Sequence, residues 1–157
     1  MSDPRDNVQQ EFLAEAQELV EALSRDLLLL DEAHHRSERI DPALINEIFR
    51  SVHTLKGIAG MFGYKHVGVV AHALEDLLDD LRLGRTPVGS QLLDVLFDSV
   101  ERFQHLLALE DPQSPEEEPG VQAYIAAVRS IGAAPEADDG DPLDKYAIEA
   151  AVLSVLT

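Results

Sequence analysis

Four successive stretches of the chain carry an apolar residue at every third or fourth position, and residues that interrupt helices separate them. The first, Val8 to Leu30, has the stripe Phe12, Leu13, Ala16, Leu19, Val20, Leu23, Leu27 and Leu30. The second has Ile45, Ile48, Phe49, Val52, Leu55, Ala59 and Phe62; the third has Val67, Val70, Ala71, Leu74, Leu77, Leu78 and Leu81. The fourth, from Val88 to Leu109, has Leu92, Leu93, Val95, Leu96, Val100, Phe103, Leu106 and Leu107. This spacing gathers each set on one side of a helix. Four such helices hide their stripes from water by packing together, so the expected fold class is all-α, an antiparallel four-helix bundle. Asp41 as N-cap with Pro42 at the first helical position starts the second helix. Gly63-Tyr64 breaks the second from the third, which closes at Leu83-Gly84-Arg85 with Pro87 beyond. No strand-like alternation is sustained anywhere.

Composition bounds the rest. With 157 residues and 45% hydrophobic content there is enough chain for one compact domain with a real core. There is no cysteine, hence no disulfide framework and no thiolate metal site. No apolar run reaches the length of a membrane span, and Met1-Ser2-Asp3-Pro4-Arg5-Asp6 does not read as a signal peptide, so no membrane insertion and a cytoplasmic location are expected. A net charge of -18 argues against nucleic acid and anionic membranes as partners, since both are bound through basic patches.

Chemistry points to the hairpin of the second and third helices. His53 lies one step off the buried stripe, and at about 100° per residue it shares its side with Asn46, Phe49, Lys56, Gly57 and Gly60. A cation and two residues without side chains therefore flank it. Each interior glycine costs about 1 kcal/mol relative to alanine, so their use is clearance for something that approaches the backbone closely. On the third helix His72, Glu75, Asp76 and Asp79 form a polar flank. An antiparallel hairpin turning near Phe62 and Gly63 sets His53 level with His72, and Arg50 level with Glu75. Side chains lean toward their own helix N-terminus, which carries the His53 ring away from the turn and the Glu75 carboxylate toward it, so the tips can meet. A carboxylate there holds the proton on one ring nitrogen and leaves the other a free lone pair, the orientation an imidazole nucleophile needs.

These residues carry a resemblance. His53-Thr54-Leu55-Lys56-Gly57 with Ala59-Gly60, then Phe62-Gly63, then His72 and Glu75, resembles the histidine phosphotransfer (HPt) domain at the N-terminus of CheA-type chemotaxis kinases, over roughly Glu11 to Leu109. The resemblance implies that His53 is phosphorylated on Nε2, that Glu75 holds its Nδ1, and that Lys56 and His72 lie near the phosphoryl group. It also implies that Gly57 is the close-approach glycine. Ile58 departs from the family pattern, being bulkier than the usual Gly, Ser or Ala; it points away from the His53 face and so bears on local packing. The function implied is a phosphotransfer module of a two-component signalling kinase. His53 would accept phosphoryl from an ATP-binding histidine kinase catalytic domain and pass it to an aspartate of a CheY-like response regulator. No cofactor is expected in this chain: it has no Gly-rich nucleotide loop, and ATP and Mg²⁺ belong to the partner kinase domain and regulator. Exposed residues around the reactive face, Phe49, Gly57, Gly60 and Met61, are the candidates for partner binding.

Other readings compete. His34-His35 suggests a metal site, but neighbouring helical residues point about 100° apart, and a solvated turn over Asp31 to Arg39 is the plainer expectation. A di-metal carboxylate bundle needs Glu-x-x-His on two helices, whereas His72-x-x-Glu75 has the reverse order and occurs once. A non-catalytic helical protein-interaction module is the stronger alternative. His72 either helps bind the phosphoryl group or fills the helix interface, and Glu75 and Asp79 could be a solvated acidic flank.

Toward the C-terminus, Asp111 to Pro119 reads as a loop and Gly120 to Ile131 as a shorter fifth helix. The expected division is an HPt domain over 1–132, an acidic Pro/Gly linker over 133–141 and a helical extension over 142–157, read as the start of a longer chain. The extension is apolar over more than half its circumference, through Leu143, Ala147, Ala150 and Leu153 on one side and Ile148, Val152 and Val155 on another. Such a helix does not stay free in water, and its short tether favours docking through the fifth helix. Deleting Asp141 to Thr157 is expected to lower thermal stability; unchanged stability with loss of self-association would show instead that the segment pairs between chains.

Overall fold

The computed structural model describes residues 4–133. The expected linker from Ala134 onward, the apolar segment Leu143 to Leu156 and its docking lie outside the described residues. Five α-helices follow in order: α1 Pro4–His35, α2 Pro42–Phe62, α3 Lys65–Arg82, α4 Ser90–Leu107 and α5 Glu118–Ala133. A 3-10 turn, Pro115–Glu117, leads into the last.

Helix starts and stops follow local chemistry. The Asp41 side chain accepts the Ala43 N–H at 2.9 Å and Pro42 occupies the first turn, as the sequence predicts. α2 stops where Gly63 takes φ 79°, with the N–H groups of both Gly63 and Tyr64 reaching the Ala59 carbonyl. α3 ends with Gly84 at φ 77° and the Arg85 N–H on the Asp80 carbonyl at 2.8 Å.

Two boundaries differ from the sequence reading. α1 runs on from Leu30 to His35, through part of the polar run expected to be a turn. Its stop is Ser37, in the left-handed region at φ 56°, with Glu38 N–H on the Ala33 carbonyl at 2.9 Å; serine there gives no sequence signal of the kind glycine gives. His34 and His35 thus form the last helical turn, where partial negative charge of the carbonyl end favours basic groups. Their rings stand nearly perpendicular, and His35 Nδ1 lies 2.9 Å from the Asp31 carbonyl of its own helix. The second correction is the stretch Asp111 to Pro119, which is helical from Pro115 onward, first as the 3-10 turn and then as the start of α5. Ser114 Oγ accepts the Glu116 N–H and Pro115 takes the first position, repeating the Asp41-Pro42 signal in weaker form. Pro119 falls in the first turn of α5, where a missing N–H costs nothing.

α1 packs on α2 and α4, α2 on α3, and α3 on α4, closing a four-helix core; α5 then lies on α3 and α4. Most of the four stripes read from the sequence form its interior, with Leu23, Leu27, Leu30, Ile48, Leu55, Leu74, Leu78, Leu96, Phe103 and Leu106 fully buried, while Leu13, Leu19, Phe49 and Phe62 are partly buried at its margin. α5 adds Val121, Tyr124, Ile125 and Val128 to the same core. Its Tyr124 hydroxyl donates to the Val95 carbonyl at 2.5 Å, and burial pushes that phenol's pKa up, so it remains a donor.

The hairpin turn is clamped on two sides. Tyr64 is buried, tilted against Phe12 of α1 with ring centroids 4.4 Å apart, and its hydroxyl accepts from Gln9 at 2.8 Å. On the other side Gln113 donates to the Gly63 carbonyl at 3.0 Å, and the buried His66 donates through Nε2 to the Ser114 carbonyl at 2.8 Å. Leu74→Ala, which empties a fully buried site on a helix packed against three others, is expected to cost about 2–5 kcal/mol in urea denaturation. Asp41→Ala removes only the cap and should cost about 1 kcal/mol.

Candidate functional site

The α2–α3 hairpin brings His53 and Glu75 together as its register predicts. His53 Nδ1 is in hydrogen-bond contact with Glu75 Oε2, while Lys56 Nζ donates to Oε1 of the same carboxylate at 2.6 Å. One carboxylate therefore anchors both α2 side chains. An ionised carboxylate can only accept, so the shared proton belongs to Nδ1 and the lone pair to Nε2. Among the described residues Nε2 of His53 has no hydrogen-bond partner, and the side chain is 59% exposed against 14% for Glu75. The arrangement is a base held from below with its reactive edge toward solvent.

Burial raises the proton affinity of the Glu75 carboxyl, but hydrogen bonds from Lys56 and His53, with their positive charges, outweigh it and set the pKa below its ordinary value. Lys56 is two-thirds buried along its stem, as a long side chain lying on an apolar surface does. Its ammonium spends one of three donors on Glu75 and keeps two. Arg50, level with Glu75 by simple counting, instead pairs with Glu47 on its own helix at 2.9 Å.

The remaining candidates fall around this centre unequally. Gly57 and Gly60 are exposed, and a Cβ added at either would meet nothing within 4 Å, so the face beside His53 is open. Met61 is the most exposed large hydrophobic among the described residues, at 77%. Phe49, read as an exposed partner contact, is half-buried: its ring lies parallel to His53, 9° apart in plane and 5.9 Å between centroids. His72 does not fill the helix interface, which corrects one of its two readings. It is exposed and nearest to Asp76, at 4.0 Å, with no hydrogen bond to His53, Lys56 or Glu75 among the described residues. No group of three or more metal-ligating side chains is gathered among the described residues.

Sequence reasoning missed Arg82. Its guanidinium lies 4.4 Å from the centroid of the Phe49 ring and is paired with Asp79 at 2.5 Å. The signal was present, since seven residues after Glu75 is two turns along the same face.

An all-α bundle that holds an exposed histidine against a carboxylate of a neighbouring helix defines a class of helical histidine-bearing modules; His105 also meets a carboxylate, Glu117 at 2.9 Å, but only the Glu75 carboxylate is shared with a lysine among the described residues. The family model of the Hpt domain matches residues 7–131, and the chain belongs to that family. Chemotaxis protein CheA of Halobacterium salinarum is 36% identical over 102 residues, covering 65% of this chain and 14% of that protein. The CheA of Listeria monocytogenes is 33% identical over 97 residues, 62% of this chain and 15% of the relative, so the chain spans only a small part of these proteins' length. That of Treponema pallidum is 31% identical over 120 residues, covering 76% of this chain and 14% of the relative. Among solved structures, the phosphorylated P1 domain of CheA3 in complex with CheY6 from R. sphaeroides superposes with a TM-score of 0.65 at 22% identity, covering 82% of this chain and 97% of that one. The solution structure of a CheA histidine phosphotransfer domain gives 0.66 at 24% identity, over 86% and 98%. At these identities the two structures speak for the fold.

The depressed Glu75 pKa has a signed consequence. The unfolded chain holds this proton more tightly, so the carboxylate's contribution to stability is complete above pH 4.5 and is lost as pH falls through the lower folded value. The stability gap between wild type and Glu75→Gln is therefore expected to be largest above pH 4.5 and to shrink below it, measured by denaturant titration across pH.

Proposed function

We propose that this chain is a phosphotransfer module in which His53 Nε2 accepts a phosphoryl group from a separate ATP-binding kinase domain and passes it to an aspartate of a response regulator. The observation that carries the reading is the carboxylate on Nδ1 with the opposite nitrogen free and exposed. Nε2 forms a bond to phosphorus as the donor oxygen leaves with the bonding pair, and the ring acquires positive charge that reaches Nδ1–H. Glu75 lies against that proton, so the charge develops next to a fixed anion. In the return step the regulator carboxylate attacks phosphorus, the N–P bond breaks, and the pair goes back to Nε2.

The two unspent Lys56 donors can meet the phosphoryl oxygens, and His72, exposed one turn before Glu75, can take part from the α3 side. Gly57, Gly60 and Met61 form the open surface on which a kinase domain or regulator would approach, with Phe49 at its edge. ATP and Mg²⁺ belong to those partners; the chain is a carrier and substrate. Its relatives are chemotaxis CheA proteins, and one similar structure is that of a phosphorylated domain bound to CheY6, which supports a CheY-like regulator as the acceptor. Among the described residues no helix is long and apolar enough to cross a membrane, and with the acidic, cysteine-free composition this supports action in the cytoplasm.

The test is incubation with a cognate kinase domain and radiolabelled ATP. His53→Gln should abolish acid-labile, base-stable label with helicity unchanged by circular dichroism; retained label in that variant would sink the assignment and favour a plain interaction module. Glu75→Ala should slow labelling without abolishing it, because the acceptor remains while the productive tautomer is no longer favoured. Lys56→Ala should weaken transfer by about 1–3 kcal/mol of charge-assisted contact, read as the change in labelling rate.

A further inference from the structure

The bond from Cβ and the hydrogen bond at Nδ1 restrain the His53 ring, but χ1 and χ2 can still change together and tilt its plane. The Nε2 lone pair lies in that plane, so the tilt sweeps the direction along which phosphorus must approach. Something has to hold the plane if Nε2 is to present one line of attack. Phe49, one turn earlier on α2, lies parallel to the imidazole at 9° and 5.9 Å, within the range of offset aromatic pairs. Phe49 is in turn engaged from α3 by the Arg82 guanidinium, 4.4 Å from its centroid, a cation–π distance. Asp79 Oδ1 accepts from Arg82 at 2.5 Å and so aims the guanidinium. Glu75, Asp79 and Arg82 lie along one stripe of α3, so a single helix reaches His53 twice, directly through Glu75 and indirectly through Phe49.

We propose that Phe49 and Arg82 are positioning residues for His53: the Phe49 ring sets the plane of the imidazole, and Arg82, aimed by Asp79, holds Phe49 in place. The proposal deepens the phosphoacceptor reading and rests on it for its effect on rate, but the ring's orientation is measurable without any transfer. Arg82 makes no hydrogen bond or ion pair with His53 or Glu75 among the described residues, so the proposal routes its influence on Nε2 through the aromatic ring.

The experiment uses the full 157-residue chain as wild type, Phe49→Leu, Phe49→Tyr, Arg82→Gln, Arg82→Lys and the double variant Phe49→Leu with Arg82→Gln. The first readout is the ¹³C relaxation order parameter of the His53 ring, with the melting temperature as control. The second is the rate of labelling by phosphoramidate, a small donor that needs no docking surface. In that reaction Nε2 forms the bond to phosphorus, the donor P–N bond breaks and ammonia leaves with the bonding pair. Phe49→Leu and Arg82→Gln should each loosen the ring and slow labelling about tenfold, within what sub-ångström to ångström misplacement of a reacting group costs. Phe49→Tyr and Arg82→Lys, which keep the ring and the cation, should restore both readouts. The double variant should be no slower than Phe49→Leu alone, since the arginine acts only through the ring. A His53 order parameter unchanged in Phe49→Leu overturns the proposal, and so does an Arg82→Gln effect that persists undiminished without Phe49. Wild type that takes no label at all defeats the phosphoacceptor reading instead, and the order parameters then still decide whether Phe49 and Arg82 hold the ring.

Discussion

Everything at the candidate site depends on the register of α3 against α2. Counted from a turn at Phe62 and Gly63, His53 is level with His72, three residues short of Glu75, so His53 and Glu75 are not level along the helix axes. The offset is about 4.5 Å at 1.5 Å rise per residue, and the opposed lean of the two side chains closes it. One residue more in the turn would move Glu75 by about 1.5 Å and rotate it by about 100°, taking the carboxylate off the imidazole. A turn with this much depending on it cannot be loose. The protein builds it from two residues, one a glycine at φ 79° and the other a buried tyrosine. It then braces the pair from α1 through Phe12 and Gln9, and from the connection before α5 through Gln113 and Ser114.

Charge is handled locally rather than by the overall field. The chain carries 30 acidic against 12 basic residues, yet the Glu75 carboxylate has two cationic or protonated donors of its own and sits mostly out of water. Taking a carboxylate from water disfavours its charge, and here the loss is reversed by donors at contact distance. Most other ion pairs of the described residues link neighbours on one helix at the surface, such as Arg50 with Glu47 and Arg36 with Glu32, where such pairs contribute little. The Glu75 cluster differs because one carboxylate of α3 takes hydrogen bonds from two side chains of α2.

Much of this was legible beforehand because helix periodicity is a strong signal. The four stripes, the Asp41-Pro42 start, the Gly63 break and the His53–Glu75 contact all follow from spacing and from the direction in which helical side chains lean. What was not legible has specific causes. Ser37 ends α1 in a conformation usually given to glycine, so the helix reads short. Ser114-Pro115 starts a helix amid three prolines and three glutamates whose composition speaks for a loop. Arg82 could be assigned to the right face of α3 but not to the Phe49 ring, since a long flexible side chain has several partners within reach and only packing selects one. His72 is the converse case: counting from the turn sets it level with His53, but that does not bring an exposed ring inward.

α5 explains why the site stays in register. On a helix turning about 100° per residue, the buried positions of α3, from Val67 through Val70, Ala71, Ala73, Leu74, Leu77, Leu78 and Leu81, cover about 160° of its circumference. An amphipathic surface helix needs an apolar stripe of about 100°, so α3 is buried on a wider arc than a four-helix bundle demands of its members. The extra arc is supplied by α5, which lies on α3 and α4 and contributes Val121, Tyr124, Ile125 and Val128 to the core. What remains open on α3 is one strip, carrying His72, Glu75, Asp76, Asp79 and Arg82. A helix so enclosed can neither roll nor slide without disturbing close-packed side chains on three neighbours. The carboxylate on its one free strip is accordingly a fixed point for an imidazole on the more exposed helix opposite, which lets a surface histidine keep its Nδ1 in one place while the ring stays exposed.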